Sequence, residues 1–137
     1  MKKALFAFQE HLWLKGHRIK LEEVGFVITE CRSADEVLPH VRSSERLDLV
    51  VMEIILPHGE SYDLRETDDG MKTGVLLYRD VRAVRSDVPI IIFSTYSEKA
   101  MEKMFPEGER PQHLLSGFDT RLETFKEIAL RLVSARV

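Results

Sequence analysis

Three short runs of apolar residues place the strongest constraint on how this chain folds. The runs ALFAF at residues 4–8, LVVM at 49–52 and IIIF at 90–93 contain no polar side chain. A strand with one face in water alternates apolar and polar residues, so these runs predict strands that are buried on both faces. Such strands are typical of a parallel sheet with helices on both sides. The five predicted strands lie at 4–8, 26–29, 47–56, 88–93 and 113–115.

The segments between these strands carry apolar residues at helical spacing. They lie at 11–24, 34–41, 74–84, 97–105 and 120–137. Gly25 is a predicted stop for the first helix, and Ser33 with Glu36 forms a capping-box pattern before the second. Strands and helices thus alternate along a single predicted domain, residues 1–137. This order predicts an α/β, flavodoxin-like, doubly wound (βα)5 fold with a five-stranded parallel sheet in the order 2-1-3-4-5.

Composition excludes several classes of protein. With 44% hydrophobic and 31% charged residues, the 137-residue sequence has the balance of a globular domain. Twenty basic residues against 23 acidic ones give a net charge of −3, which disfavours a general role in binding nucleic acid. Cys31 is the single cysteine, which fits a reducing cytoplasm. No apolar stretch approaches the roughly 20 residues of a membrane span, so we predict a cytoplasmic domain.

In a doubly wound sheet, chemistry takes place beyond the carboxyl ends of the strands. No glycine-rich loop follows the first strand and no G-x-S-x-G motif occurs, so we predict neither a nucleotide site nor an enzyme. The histidines lack ligand spacing, so we predict no metal site. The acidic segment 58–70 is longer than the roughly 2–6 residues usual between strand and helix. It lacks the ligand pattern of an EF-hand, so we predict an extended, solvated and flexible loop there.

Three segments carry a resemblance to a known family. Residues 47–57, LDLVVMEIILP, resemble the third strand and following turn of receiver domains of two-component response regulators, including the framework proline at Pro57. Residues 89–95, PIIIFST, are similar to the fourth receiver strand, and residues 21–26, LEEVGF, to the end of the first helix. The long loop before KTGVLL at 72–77 resembles a subset of receivers. The resemblance covers essentially the whole chain.

The resemblance implies four functional groups at the carboxyl edge. Receivers use an acidic pair that holds Mg²⁺, an aspartate that accepts the phosphoryl group, a hydroxyl that hydrogen-bonds it and a lysine, followed by proline, that pairs with it. The matching positions are Phe8 and Gln9 for the acidic pair, with Glu10 the one acid nearby; Glu53 for the phosphoacceptor; Ser94 for the hydroxyl; and Ser116 and Gly117 for the lysine and proline. Of the four groups, only the hydroxyl is retained.

These substitutions predict a degenerate pseudo-receiver, outside the phosphorelay chemistry of two-component signal transduction and without a cofactor. The side chain of Phe8 cannot ligate a cation, and the extra methylene of Glu53 displaces its carboxylate by more than an ångström, which can cost on the order of 10²-fold in rate. Glu53 then either acts as a fixed charge that holds one signalling state or simply caps backbone N–H groups. The alternative is an active phosphoacceptor or Mg²⁺-binding receiver that uses Glu53 and Glu10. A purely structural module of a larger complex is a third possibility.

The resemblance also implies protein partners, such as a histidine kinase or another signalling protein. The usual partner or homodimer face of receivers corresponds here to residues 97–105 and 113–137, and no nucleic acid or membrane is expected. Four apolar side chains in or beside this face are candidates for contact: Tyr96, Met101, Met104 and Phe105. Elsewhere, we expect Phe8 to fill the core and His17 to lie at the core edge with a satisfied hydrogen bond.

Overall fold

The computed structural model of the chain describes residues 1–135. Five parallel strands form one sheet: β1 (Lys2–Ala7), β2 (Phe26–Cys31), β3 (Leu49–Met52), β4 (Ile90–Ser94) and β5 (Leu114–Ser116). Five helices alternate with them: α1 (Lys15–Glu23), α2 (Ala34–Arg42), α3 (Thr73–Val84), α4 (Glu98–Glu102) and α5 (Leu122–Ser134). The strand order is β2-β1-β3-β4-β5, so the predicted doubly wound fold is confirmed. The last two residues of the fifth predicted helix, 136 and 137, lie outside the described residues.

The apolar runs form strands because both of their faces are covered. Alternate side chains point to opposite sides of a strand, so Leu5 and Phe6 of β1 enter different cores. Leu5 packs with the apolar faces of α2 and α3, whereas Phe6 packs with those of α1 and α5. Every residue of β3 and β4 is buried. No helix within residues 1–135 is long and apolar enough to cross a membrane.

Three predicted helices are shorter than the sequence pattern suggests; α5, predicted from residue 120, begins at Leu122. The segment predicted as a helix from residue 11 starts with a 3-10 turn at Leu12–Leu14, and α1 proper starts at Lys15. Helix α4 has only five residues, although helical spacing predicted 97–105. Its N-terminus is capped by Ser97, whose hydroxyl accepts a hydrogen bond from the Ala100 N–H at 3.1 Å. Beyond α4 the chain runs irregularly as far as β5.

The acidic segment between β3 and α3 is folded onto the domain. The Asp35 carboxylate, in the first turn of α2, accepts hydrogen bonds from the N–H groups of Glu60 and Ser61, each at 2.9 Å. The Tyr62 hydroxyl donates to Asp80 on α3 at 2.5 Å, and Thr67 is fully buried. Backbone and hydroxyl groups thus tie this segment to the domain, while the side chains of its acidic residues remain exposed to solvent, as predicted: Glu60, Asp63, Glu66, Asp68 and Asp69.

Gly74 allows α3 to approach β3 more closely than any other residue would. A Cβ atom at this position would lie 2.4 Å from the Glu53 carbonyl oxygen and 2.6 Å from the Ile54 Cα. The Gly74 N–H instead donates to the Ile54 carbonyl at 2.8 Å. The start of α3 is thus joined directly to the backbone that carries Glu53.

Substitution of Gly74 tests the importance of this close approach. We expect Gly74→Ala to lower the free energy of unfolding by about 1–3 kcal/mol, the usual cost of overpacking, because rigid backbone cannot move aside. Gly16→Ala in α1 is the matched control. There the new methyl group meets only the flexible Leu122 side chain, at 3.2 Å, and removing a helical glycine stabilises by up to about 1 kcal/mol. Urea denaturation of both variants measures the difference; equal losses of stability would contradict the interpretation.

Candidate functional site

The carboxyl ends of β1, β3 and β4 enclose a small cleft. Its volume is about 200 Å³, and it is lined by Phe8, Gln9, Glu10, Trp13, Glu53, Ile55 and Thr95. A second hollow of about 340 Å³ shares Gln9 and Ile55 with the first and extends to Pro57 and Asp69. The Pro57 carbonyl accepts a hydrogen bond from the Ala34 N–H at 3.0 Å, which ties this turn to α2. The topology thus brings together the positions that the sequence predicted for the acidic pair and the phosphoacceptor.

Glu53 follows the last residue of β3, and its side chain is almost entirely buried, with 7% exposed. Its Oε1 atom accepts hydrogen bonds from the backbone N–H groups of Ile54, at 2.7 Å, and Ile55, at 3.3 Å. The carboxylate also interacts with the Ser94 hydroxyl and the Thr95 N–H at the end of β4. Glu53 therefore links the ends of two neighbouring strands. Thr95 was not singled out in the sequence, because a backbone N–H has no residue signature.

Burial decides the protonation behaviour of Glu53. Removal from water raises the pKa of its carboxyl group above the ordinary value of 4.5. The four hydrogen-bond donors around it act in the opposite direction, because each stabilises the ionised form. Desolvation is the largest of these effects, so the net pKa is raised.

Aromatic side chains occupy the side of the cleft formed by β1 and α1. Phe8 is 1% exposed and packs edge-on against Trp13, with ring centroids 5.9 Å apart. Trp13 in turn stacks on Phe93 at 5.6 Å, with the rings only 15° from parallel. Phe8 thus fills the core, as expected. Trp13 belongs to the segment predicted as the first helix, 11–24, and the structure places its indole at the rim of the cleft.

The position predicted for the receiver lysine lies at the end of β5. Ser116 is buried there and pairs in register with Ser94, and the Gly117 N–H donates to the Ser94 carbonyl at 2.7 Å. The indole of Trp13 lies directly against Gly117, since a Cβ atom on this glycine would be 3.1 Å from the ring. An indole therefore lies where the resemblance places a lysine–proline turn. Gly117 was the one sequence signal that could have suggested this close packing.

The turn that carries Trp13 is held by a buried histidine. His11 Nδ1 lies 2.7 Å from the Glu30 carboxylate, and its Nε2 lies 3.0 Å from the Cys31 carbonyl oxygen. Both contacts connect the start of α1 to the end of β2, and Arg18 reinforces them with a 2.6 Å hydrogen bond to Glu30. The Cys31 thiol itself is buried, which raises its pKa to about 12 and keeps it protonated.

The hydrogen bonding of His17 differs from the prediction. This side chain is buried between Phe93 and Phe125, with ring centroids 5.0 and 5.1 Å away. Its Nδ1 atom has no hydrogen-bond partner among residues 1–135, so the prediction of a satisfied hydrogen bond is wrong. Desolvation lowers the pKa of this imidazole below 6.5, because burial among aromatic rings disfavours the charged form.

The oxygen ligands at the cleft do not fit the Mg²⁺ ion that the resemblance implies. Phe8 supplies no ligand atom and Gln9 no charge, while Glu53 already accepts backbone hydrogen bonds. Glu10 is exposed at the rim. Within residues 1–135, no three histidine, cysteine or acidic side chains lie close enough together to hold a metal ion.

Two of the four side chains predicted to make contact on the partner face are not accessible in the structure. Met101 and Phe105 are buried in the core, and Tyr96 and Met104 are partly buried against it. The prediction that Met101 and Phe105 supply contact area on that face is therefore wrong. Phe118, in the loop before α5, is instead 82% exposed.

Solved structures resemble this chain over its whole length. A CheY-like response regulator receiver domain from Methanospirillum hungatei superposes with a TM-score of 0.77 at 15% identity, covering 99% of this chain and 96% of that one. The receiver domain of Francisella response regulator 1452 gives 0.76 at 17% identity and covers all of both chains. A two-component response regulator from Clostridium difficile gives 0.75 at 19%, covering 98% and 97%.

Comparison of the sequence alone gives no match: no protein-family model matches the chain, and no curated protein matches it significantly. At the identities above, structural likeness establishes architecture and not activity. The chain therefore has the fold of response-regulator receiver domains.

The raised pKa of Glu53 predicts how stability depends on pH. Above the ordinary value of 4.5, the folded protein retains a proton that the unfolded chain has released. The free energy of unfolding therefore falls as pH rises through the interval up to the folded-state pKa. Glu53→Gln removes this titration, so we expect the variant to gain stability relative to wild type between about pH 4 and about pH 8. Urea denaturation at both pH values measures the change; a constant difference would contradict the prediction.

His17 predicts the opposite dependence. Its pKa is below 6.5, so the unfolded chain takes up the proton first as pH falls, and the wild type loses stability through that range. His17→Phe keeps an aromatic ring but does not titrate. We expect its stability relative to wild type to increase on acidification from about pH 7.5 to about pH 5. Because all other groups titrate in both proteins, parallel curves would show that His17 is not desolvated.

Proposed function

We propose that this chain is a single receiver-like signalling domain that acts without phosphorylation, through protein–protein interaction. The observation that carries this proposal is the buried Glu53 carboxylate in a cleft where Phe8 and Gln9 occupy the positions of the acidic pair. The receiver fold and the position of Glu53 after β3 support the signalling part of the proposal. The replaced neighbours of Glu53 support its independence from phosphorylation.

Charge is the physical reason that phosphotransfer is disfavoured. A phosphoryl group in transfer spreads negative charge over its oxygens, and cations that face this charge supply the main stabilisation. Among residues 1–135, no cationic side chain lines the cleft, and the two carboxylates that do, Glu10 and Glu53, would repel the phosphoryl oxygens.

The contacts of Glu53 suggest what it does in place of phosphorylation. Its carboxylate reaches from β3 to Ser94 and Thr95 of the neighbouring strand end. The Ser94 hydroxyl in turn accepts a hydrogen bond from the Tyr96 N–H at 3.3 Å, and Ser97 caps α4 directly afterwards. A permanent carboxylate at residue 53 thus holds the segment that leads into α4. We propose that it fixes the domain in one signalling state, within the cytoplasm, for recognition by a histidine kinase or another signalling protein.

A phosphodonor experiment tests independence from phosphorylation. The protein is incubated with Mg²⁺ and acetyl phosphate, which would transfer its phosphoryl group to a carboxylate oxygen and release acetate, and its intact mass is then measured. We expect no gain in mass, because the cleft offers no countercharge. A receiver that carries all four functional groups, treated in parallel, shows that the reagent is active.

Glu53→Gln provides the matched control. A stable gain of one phosphoryl group in the wild type that is lost in this variant would overturn the proposal. It would favour the alternative of an active phosphoacceptor that uses Glu53 and Glu10. A gain of mass in both proteins would show modification elsewhere on the chain and leave the inactive cleft supported.

A further inference from the structure

A groove on the opposite side of the domain from Trp13 is not used by the function proposed above. It has a volume of about 520 Å³ and lies between α3 and the irregular segment that follows α4. Four residues of its α3 wall, Val75, Tyr78, Arg79 and Arg82, have the i, i+3, i+4, i+7 spacing of one helical face, and Leu76 lies beside them. Phe105, largely buried, forms part of the floor and packs edge-on against Tyr78 at 5.7 Å.

The groove exists because α4 is short. This helix ends at Glu102, and the chain then turns through Pro106 and Gly108, whose φ is +86°. Such a backbone conformation is open to glycine without strain and cannot continue a helix. Part of the apolar surface of α3 is consequently left uncovered, and Val75 and Leu76 remain half-buried at the groove wall.

Arginine dominates the charge of the groove. Arg79, Arg82 and Arg110 line it, against the single lining carboxylate of Glu109, although the Nε of Arg79 also donates to Asp80 at 3.1 Å. Arg82 is held in place, because its Nη1 donates to the Val88 carbonyl at 2.7 Å and its guanidinium lies 5.7 Å from the centre of the Tyr78 ring. Arg110 is exposed and forms no hydrogen bond or ion pair with any residue in the described range. Planar guanidinium groups of this kind bind carboxylates well.

The groove is also elongated. A second hollow of about 440 Å³ shares Tyr78, Arg82 and Arg110 with it and extends to Val88 and His113 near the amino ends of β4 and β5. A compact small molecule would fill only one of these two hollows, whereas an extended peptide could occupy both. The shape therefore favours a peptide segment.

We propose that this arginine groove binds an acidic peptide segment of a partner protein, with an aliphatic or aromatic side chain anchored between Val75 and Phe105 and flanking carboxylates paired with Arg79 and Arg110. An apolar anchor with a charged rim is the usual arrangement of such interfaces. The proposal rests on the function by protein–protein interaction proposed above and names the chemistry of the partner. It involves neither Glu53 nor phosphorylation.

A synthetic peptide tests the groove. The probe is a fluorescein-labelled peptide of six glutamates around a central Leu-Phe pair, and its binding to the full chain is measured by fluorescence anisotropy. Peptides with glutamine or lysine in place of every glutamate are the matched controls. We expect the acidic peptide to bind at least about tenfold more tightly than either, with affinity that falls as salt is raised, since the rim contacts are ionic.

Variants of the rim locate the binding site. Arg110→Glu is expected to weaken binding by about fivefold or more, and Arg110→Lys by less, because lysine keeps the charge but not the planar fork. Arg65→Glu, an exposed arginine in the acidic segment, is the control with the same change of charge. Amide NMR shifts on titration should concentrate at residues 75–82 and 105–110.

Three outcomes would overturn the proposal. One is equal binding of the acidic and glutamine peptides, and another is equal weakening by Arg110→Glu and Arg65→Glu. The third is that benzoate, a small anionic aromatic probe, shifts the groove amides while the peptide does not, which would make the groove a small-molecule site. The peptide titration contains no phosphodonor, so a failure to bind the peptide would not change the mass measurement on Glu53. Conversely, phosphorylation of Glu53 in the mass measurement would not change the result of the peptide titration.

Discussion

The contact between the backbone of Gly74 and that of Glu53 and Ile54 is the constraint on which the carboxyl edge depends. A side chain at residue 74 would collide with the Glu53 carbonyl, so only glycine allows α3 to begin at this point. The Gly74 N–H bonds to Ile54 at 2.8 Å, and the N–H groups of Ile54 and Ile55 turn back to the Glu53 carboxylate. One turn of backbone therefore joins α3 to β3 and also solvates a buried charge.

The groups around the Glu53 carboxylate match the needs of a buried acid. A carboxylate removed from water needs hydrogen-bond donors, and Glu53 has them in two backbone N–H groups, with Ser94 and Thr95 contributing from β4. The glutamate side chain is one methylene longer than that of aspartate, and its carboxylate turns back to the backbone N–H groups of Ile54 and Ile55. Opposite it, Phe8 and Trp13 form an aromatic wall with Phe93 that leaves no polar ligand on β1. Phe8 and Glu53 thus belong to one cleft, whereas Ser116 pairs with Ser94 at the end of β5.

Sequence reasoning was most successful where burial imposed a pattern. The runs at residues 49–52 and 90–93 could only be strands covered on both faces, and alternation with amphipathic segments then led to the sheet order. It was least successful at helix ends and in the acidic segment. Helical spacing continued beyond Glu102, but α4 ends at that residue, before Pro106 and Gly108 are reached. The side chains of the acidic segment are solvated as predicted, but no pattern showed that Asp35, far away in the chain, accepts hydrogen bonds from its backbone.

The sequence by itself determined the architecture and the positions of the candidate site residues along the chain, because apolar periodicity and motif spacing are local properties of a chain. Only the tertiary structure decided what surrounds those residues. The indole of Trp13 lies on Gly117 more than one hundred residues away in the chain, Nδ1 of His17 faces aromatic rings without a partner in the described chain, and the arginines of α3 meet Arg110 across a groove. These relations depend on how helices pack on the sheet. Packing is set by contacts between residues distant in sequence, which no local pattern records.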